Sequence, residues 1–510
     1  MKRICLLLLA LPVIFTGAMA QANKPADGRP NIIYILTDDL GIGDVNFYNP
    51  KGKLKTPNID LLAHQGMAFN DVHSSSAVCT PSRYSILTGR YAWRSRLKSG
   101  VLSGYDKPLI DSDRLTVGKM LQQNGYTTAC IGKWHLGLGW SVITPGAKPV
   151  IDYTKNITNG PNTLGFDYFY GIAASLDMPP FIFIENNHTV GLPTATKKWV
   201  REGPAGEDFE AVNCVPTVTA KAVQYIKDKS AKKQPFFLYF TLPSPHTPIV
   251  PSDKFKGKSG ITEYGDYVME TDWAVGEIMK AVDEGKIAKN TIIMFASDNG
   301  FAPYVLKTMN VEALGHYPSI DYRGYKSDIW EGGHRIPFIV RWPGKVKADT
   351  RCDKTVCLGD FMATAAAIVN QKLPDAAAVD SYNMMPYLMG NQTKDLREAT
   401  VHHSIDGNFA IRQGKWKLEL CAGSGGWELP KNPEALKNGM PVVQLYDMEA
   451  DTKEQHNVQD KHPDVVKRLT ALMQQYVDNG RSTPGKVQKN DGDIDIWMKK
   501  KNVAAADAGN

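Results

Sequence analysis

The sequence predicts an α/β protein: a mostly parallel central sheet sandwiched by helices, with a smaller α+β domain at the C-terminal end. Three observations predict it. Apolar, β-rich runs stop abruptly at polar residues, and helical patterns fill the intervals between them. After Asp375 the pattern shifts to short strands and a single helix. Continuous apolar runs suit strands covered on both faces, and their alternation with helices suits parallel crossovers.

Asn31 to Leu36 reads as the first buried strand and ends at Thr37-Asp38-Asp39. Thr127 to Gly132 ends at Lys133-Trp134-His135, Pro235 to Leu242 ends near His246, and Thr291 to Ala296 ends at Ser297-Asp298-Asn299. Helices are predicted over Asn58 to Gly66, Leu115 to Asn124, Val218 to Lys232 and Thr262 to Gly285. In sheets of this kind ligand sites form beyond the carboxyl ends of the strands, where these polar residues gather. Arg335 to Trp342 gives a further strand, Leu358 to Asn370 a helix, and Pro374 to Ala378 a linker. The C-terminal part reads as short strands at Thr400 to Ser404, Phe409 to Arg412, Trp416 to Leu420 and Val442 to Tyr446, then a helix over Pro463 to Asn479. The charged, Gly/Pro-containing tail after Arg481 is expected to lose order towards its end.

The 510-residue chain exceeds one ordinary domain, and 43% hydrophobic residues supply a substantial core. Lys2 and Arg3, the apolar run from Ile4 to Thr16 and the small residues Ala18-Met19-Ala20 form an export signal cleaved near Ala20. That run is too short to span a bilayer and no later one is long enough, so the expected location is periplasmic or secreted, without a membrane anchor. The expected division is a leader at 1–20, a large domain at 21–375 and a C-terminal unit at 376–510. A net charge of +6 is compatible with an anionic substrate, while the absence of a basic run interleaved with aromatics argues against nucleic acid. The cysteines beyond the leader have no paired metal-site spacing and are too few for a disulfide scaffold; Cys352 and Cys357 read equally as a bridge or as free thiols.

Asp38, Asp39, Asp298 and Asn299 stand at two strand ends. Adjacent carboxylates repel unless a cation sits between them, and a hard oxygen set without histidine or thiolate favours Ca²⁺, with Mg²⁺ as the alternative, over zinc. Cys79-Thr80-Pro81-Ser82-Arg83, followed by Leu87-Thr88-Gly89-Arg90, resembles the maturation signature of type I sulfatases, members of the alkaline phosphatase-like superfamily. Thr37 to Gly41 and Ser297 to Gly300 resemble that family's two metal motifs. Gly132-Lys133-Trp134-His135-Leu136-Gly137 resembles its Lys/His motif, and Pro245-His246-Thr247-Pro248 sits where the family carries a second histidine. Gly324-Tyr325-Lys326 with Trp330 to Arg335 resembles the segment of its second catalytic lysine.

The resemblance implies that a formylglycine-generating or anaerobic sulfatase-maturating enzyme oxidises Cys79 to formylglycine (3-oxoalanine). The hydrated aldehyde then attacks a sulfate ester and shares the metal with Asp38, Asp39, Asp298 and Asn299. Arg83, Lys133 and Lys326 hold sulfate oxygens, His246 protonates the departing oxygen and His135 removes the proton that lets sulfate leave. The implied substrate is a sulfated saccharide, with 6-O-sulfated galactose or N-acetylgalactosamine foremost, and degradation of a glycosaminoglycan or mucin glycan as the setting. Asp177, in Ser175 to Pro180, is the candidate acceptor for a sugar hydroxyl, and Trp427, in Cys421 to Trp427, the candidate stacking residue. The rival readings are a phosphonate monoester hydrolase or phosphodiesterase of the same superfamily, and an inactive glycan-binding relative.

Overall fold

The structure is a computed structural model that describes residues 28–146 and 149–498. The expected leader lies outside the described residues. A ten-stranded sheet organises the larger part of the chain. Its centre is parallel, in the order Thr291–Ser297, Asn31–Thr37, Phe236–Thr241, Thr127–Lys133 and Tyr168–Ile172. The strand expected at Arg335 to Trp342 is the shorter Phe338–Arg341, and it pairs antiparallel with Thr291–Ser297. Met67–Phe69 and Thr350–Cys352 complete that edge, and Ile184–Glu185 with His188–Thr189 complete the other.

Alternation of side chains across the pleat explains why these strands are apolar without interruption. Ile32, Tyr34, Leu36, Phe237, Tyr239, Ile292 and Met294 face one layer, which contains Met120, Phe361 and Ala365. Ile33, Ile35, Phe236, Leu238, Phe240, Ile293 and Phe295 face the other, filled by Val218, Ala222, Ile226, Val275, Ile278 and Val282. The second set belongs to the long helices Cys214–Lys232 and Glu263–Glu284, which begin and end within a few residues of the sequence expectation. Both faces of the sheet are covered, so the charged groups of the central strands are confined to their ends, while Tyr34 and Tyr239 keep buried hydroxyls in mid-strand.

A four-stranded antiparallel sheet (Thr400–His403, Phe409–Gln413, Trp416–Glu419, Gln444–Asp447) and the helix Pro463–Asp478 form the smaller C-terminal domain. Its core of Val401, Ile411, Leu418, Leu445, Leu469 and Met473 also takes in Tyr91 and Trp93 from the larger part. The stretch at Pro374 to Ala378 is not a loose linker. Ala378 is buried against Gly89, and Asp375 accepts from Arg481 Nη1 at 3.1 Å. The tail after Arg481 is held down where described, with Asp491 paired to Arg90 at 3.1 Å and Ile496 buried in the C-terminal core, while its end, where loss of order is expected, lies outside the described residues. Long-range ion pairs of this kind leave no periodic trace in a sequence. Cys352 and Cys357 are free thiols, both buried. Among the described residues no helix is long and apolar enough to cross a membrane.

Arg94 ties these parts together. Its guanidinium is buried and forked onto Asp380, with Nε to Oδ2 at 2.8 Å and Nη2 to Oδ1 at 2.9 Å. Asp380 also accepts from the Tyr91 and Ser482 amides. Removing one partner of such a pair strands a charge in the interior. Asp380→Ala is expected to lose about 3–5 kcal/mol of stability in urea denaturation. A loss below about 1 kcal/mol, the scale of an exposed pair, would contradict this reading.

Candidate active site

Four parallel strands deliver their terminal residues to one edge of the sheet. The ladder continues past the strands, with the Asp38 amide donating to Ser244 O at 3.0 Å and the Asp298 amide to Thr37 O at 3.1 Å. Asp38 and Asp298 therefore stand side by side. Asp39 turns with φ of 64°, a left-handed conformation that aspartate tolerates better than most residues, and its amide donates to Asp298 Oδ1. Gly300 then passes under the Trp330 to Gly333 segment, its amide on Gly333 O at 2.9 Å. A Cβ there would lie 1.8 Å from Gly332 O, so only glycine fits.

Three cations meet these three carboxylates, all buried. Lys133 Nζ is 2.6 Å from Asp38 Oδ2, Lys326 Nζ is 2.7 Å from Asp39 Oδ2, and Arg83 Nη2 is 2.8 Å from Asp298 Oδ2. Arg83 Nη1 also donates to Lys133 O at 3.0 Å, joining two of the pairs. Burial alone would raise the Asp38 carboxyl, but Lys133, His246 and Arg83 overcome it and hold the group well below the usual carboxylate range. Asp298 is pushed up to about 6 by burial and then by the charge on Asp38. More positive charge among the acids would relieve that repulsion.

The oxygens that remain fit a hard divalent cation. Asn299 spends its Nδ2 on Asp39 Oδ1 and Gly300 O, which leaves its Oδ1 buried without a partner. Asp38 Oδ1 is buried and accepts no hydrogen bond. Buried acceptors of this kind are costly unless something binds them. One ligand atom each from Asp38, Asp39, Cys79 and His246 lie within 4.8 Å of one another.

Cys79 is the first residue of the helix Cys79–Thr88, which is buried along its whole length and ends at Gly89 in a left-handed cap with φ of 61°. Thr80 Oγ1 donates to His135 O at 3.0 Å, fixing the start of this helix to the Lys133 to His135 segment. Burial pushes the Cys79 thiol up to about 12, so an unmodified thiol stays protonated at neutral pH.

The two histidines differ. His135 Nε2 lies 2.7 Å from Leu102 O. A carbonyl only accepts, so Nε2 carries the proton and the buried Nδ1, which has no partner, carries the lone pair. Burial, then Lys133 and Arg83, hold this ring well below the ordinary histidine range, and it is neutral. His246 Nδ1 donates to Thr247 O at 2.6 Å, and its Nε2 is 3.6 Å from Asp39 Oδ2.

The expected sugar-contacting residues border the same cluster through a residue that the sequence reading passed over. Tyr304 donates its hydroxyl to Asp39 Oδ2 at 2.7 Å, and its ring lies 6.1 Å from His246 and 6.3 Å from Trp427. Trp427 is 38% exposed, and its amide donates to Asp328 Oδ1. Asp177 is buried close enough for its charge to act on the Tyr304 hydroxyl, and it is paired with Arg201. Tyr304 lies five residues beyond Asn299, and that proximity is the signal that could have found it. Arg201 has no such signal. A second cluster, His73, His334 and His402, is less suited to a metal: Lys417 Nζ is 3.1 Å from His334 Nε2 and Arg412 Nη1 is 3.3 Å from His73 Nε2.

A family model described as Sulfatase matches residues 30–370. An N-acetylgalactosamine-6-O-sulfatase of Bacteroides thetaiotaomicron is 36% identical, over 93% of this chain and 99% of that one. Human steryl-sulfatase is 30% identical, over 78% of this chain and 76% of its own. A solved structure from Bacteroides thetaiotaomicron, described in connection with the metabolism of multiple glycosaminoglycans, superposes with a TM-score of 0.77 at 34% identity, covering 88% of this chain and 99% of that one. The matched span contains every member of the buried acid–base cluster from Asp38 to Lys326; the chain belongs to the sulfatase family and is a sulfuric ester hydrolase.

Proposed function

We propose that the protein removes 6-O-sulfate from a galactosamine- or galactose-containing glycan, N-acetylgalactosamine 6-sulfate foremost, with Cys79 matured to formylglycine and Ca²⁺ held by Asp38, Asp39, Asp298 and Asn299. The observation that carries this is the position of the Cys79 side chain, within 4.8 Å of ligand atoms of Asp38, Asp39 and His246. The name of the relative at 36% identity supports the sugar and the sulfate position. Maturation assigns a maturating enzyme as partner, and the leader at 1–20 assigns export to the periplasm or medium. The boundary at 375 divides a catalytic unit from the C-terminal domain.

When present, the cation supplies charge neutralisation and alignment, and the hydrated aldehyde supplies a nucleophilic hydroxyl where the thiol otherwise stands. The chain's own residues do the rest. Arg83, Lys133 and Lys326 surround the position with donors fixed before substrate arrives, each worth about 3–4 kcal/mol of transition-state stabilisation if aimed at developing charge. Their burial matters, because the same donors in water would reorganise and be screened. His246, fixed through Nδ1, presents Nε2 as the group that protonates a departing sugar oxygen. His135, fixed through Nε2, presents the Nδ1 lone pair as the base for the side chain at position 79. The hydroxyl of Tyr304 orients Asp39. Asp177 accepts from a sugar hydroxyl, and Trp427 offers a ring face to the sugar.

Three outcomes are expected. Peptide mass analysis of exported protein should find position 79 as an aldehyde, its sulfur replaced by oxygen and two hydrogens lost, and Cys79→Ala should lower kcat/KM on N-acetylgalactosamine 6-sulfate by at least about 10³-fold. Turnover of phosphonate monoesters but of no sulfated sugar would sink the reading. Chelation should abolish turnover, with recovery on adding Ca²⁺ or Mg²⁺ but not Zn²⁺. His246→Gln should cost about 10²–10⁴-fold on a sugar sulfate and far less on an aryl sulfate, whose phenolate leaves without a proton; equal losses on both would remove His246 from its role.

A further inference from the structure

The proposed function leaves one charged group at the site's border unused. Arg201 stands at the tip of a two-stranded hairpin, Ala195–Lys198 with Glu202–Ala205. This hairpin is separate from the central sheet and is fixed over the loop that carries Asp177. Trp199 packs against Phe181 and Phe209, with ring centroids 4.9 and 5.8 Å apart. A Cβ on Gly203 would lie 2.3 Å from the Pro179 ring, and Ala205 bridges to Phe181. The same loop leaves the Tyr168–Ile172 strand beside the segment holding Lys133 and His135, with the His135 amide on Ala173 O at 3.0 Å. The hairpin tip is thereby set at the border of the catalytic cluster.

Arg201 Nη1 pairs with Asp177 Oδ2 and approaches Asp177 O at 3.5 Å. The Asp177 side chain is buried, whereas that of Arg201 is 53% exposed. A guanidinium has five donors in a fork, and one nitrogen serves Asp177 here. Its other nitrogens are left for an incoming acceptor. The neighbouring Lys197 is committed elsewhere: its Nζ is 2.8 Å from Glu210 Oε1 and donates to two carbonyls. Asp177 Oδ1 is buried without a partner, so the carboxylate can accept a sugar hydroxyl without releasing Arg201.

We infer that Arg201 binds a second anionic group of the substrate, distinct from the sulfate that is cleaved. This rests on the carbohydrate sulfatase reading and deepens it. Guanidinium recognition of carboxylate and sulfate has one chemistry, planar and charge-assisted. The second anion is therefore either another sulfate on the target sugar or the carboxylate of a neighbouring uronate. Such a contact exists before and during reaction, so it acts mainly through KM.

The test compares kcat/KM within each protein across four substrates: N-acetylgalactosamine 6-sulfate, its 4,6-disulfate, a uronate-containing disaccharide ending in N-acetylgalactosamine 6-sulfate, and that disaccharide with its carboxylate reduced. Wild type is expected to favour one doubly anionic substrate over its singly anionic counterpart by about tenfold, carried by KM and shrinking with added salt. Preference for the disulfate places the second anion on the target sugar; preference for the uronate over its reduced form places it on the neighbour. Arg201→Gln should abolish that ratio and Arg201→Lys should keep part of it. An unchanged ratio in Arg201→Gln, with all substrates slowed alike, would reduce Arg201 to a partner of Asp177 and overturn the inference, as would a wild type with no preference. Failure to hydrolyse any sulfated sugar would instead remove the function reading, and this inference with it.

Discussion

Everything at the catalytic edge depends on the neutralisation of three buried carboxylates by three buried cations. Asp38, Asp39 and Asp298 would repel one another in a dry site, and each ion costs several kcal/mol to remove from water. Lys133, Lys326 and Arg83 offset that cost only because they arrive within hydrogen-bond distance. The parallel sheet makes this arrangement affordable in geometry: neighbouring strands end at the same level, so residues far apart in the chain converge without long loops. The price is that the core beneath must hold registration, and the uninterrupted aliphatic and aromatic packing on both faces does so.

Much of this was legible in the sequence because strand ends are marked locally. An apolar run that stops at Asp38-Asp39, or at Asp298-Asn299, announces both the strand and the group it delivers. The helices were legible too, through the patterns between strands, and Thr262 caps the helix Glu263–Glu284. What escaped has no local mark. Lys326 reaches Asp39 across most of the domain, and only the motif resemblance put them together. Tyr304 enters because the turn after Gly300 folds back over Asp39. The stretch at Pro374 to Ala378 has the composition of a linker, yet Arg481, a hundred residues on, ties it down. Charge pairing over such separations is decided by the finished fold.

The site divides into two kinds of structure. The reactive side is built on strand ends and a fully buried helix, where side chains have almost no freedom. The border proposed to face a sugar is built from a loop, a short hairpin and the glycine-rich turn before Trp427. Rigid chemistry with variable recognition is the expected division of labour, since loops tolerate change that strands do not. The family motifs accordingly lie at strand ends, on the Cys79–Thr88 helix and in the segment around Lys326, whereas the proposed sugar contacts lie in segments without periodicity.

The burial of the Cys79–Thr88 helix has a temporal consequence. In the finished molecule residue 79 is 2% exposed at the head of a helix buried along its whole length, too recessed for a second protein to close around it. Any catalyst that rewrites this side chain must meet it as extended polypeptide. If Cys79 is matured as proposed, that chemistry must precede collapse of the chain, and a molecule that folds first keeps its thiol.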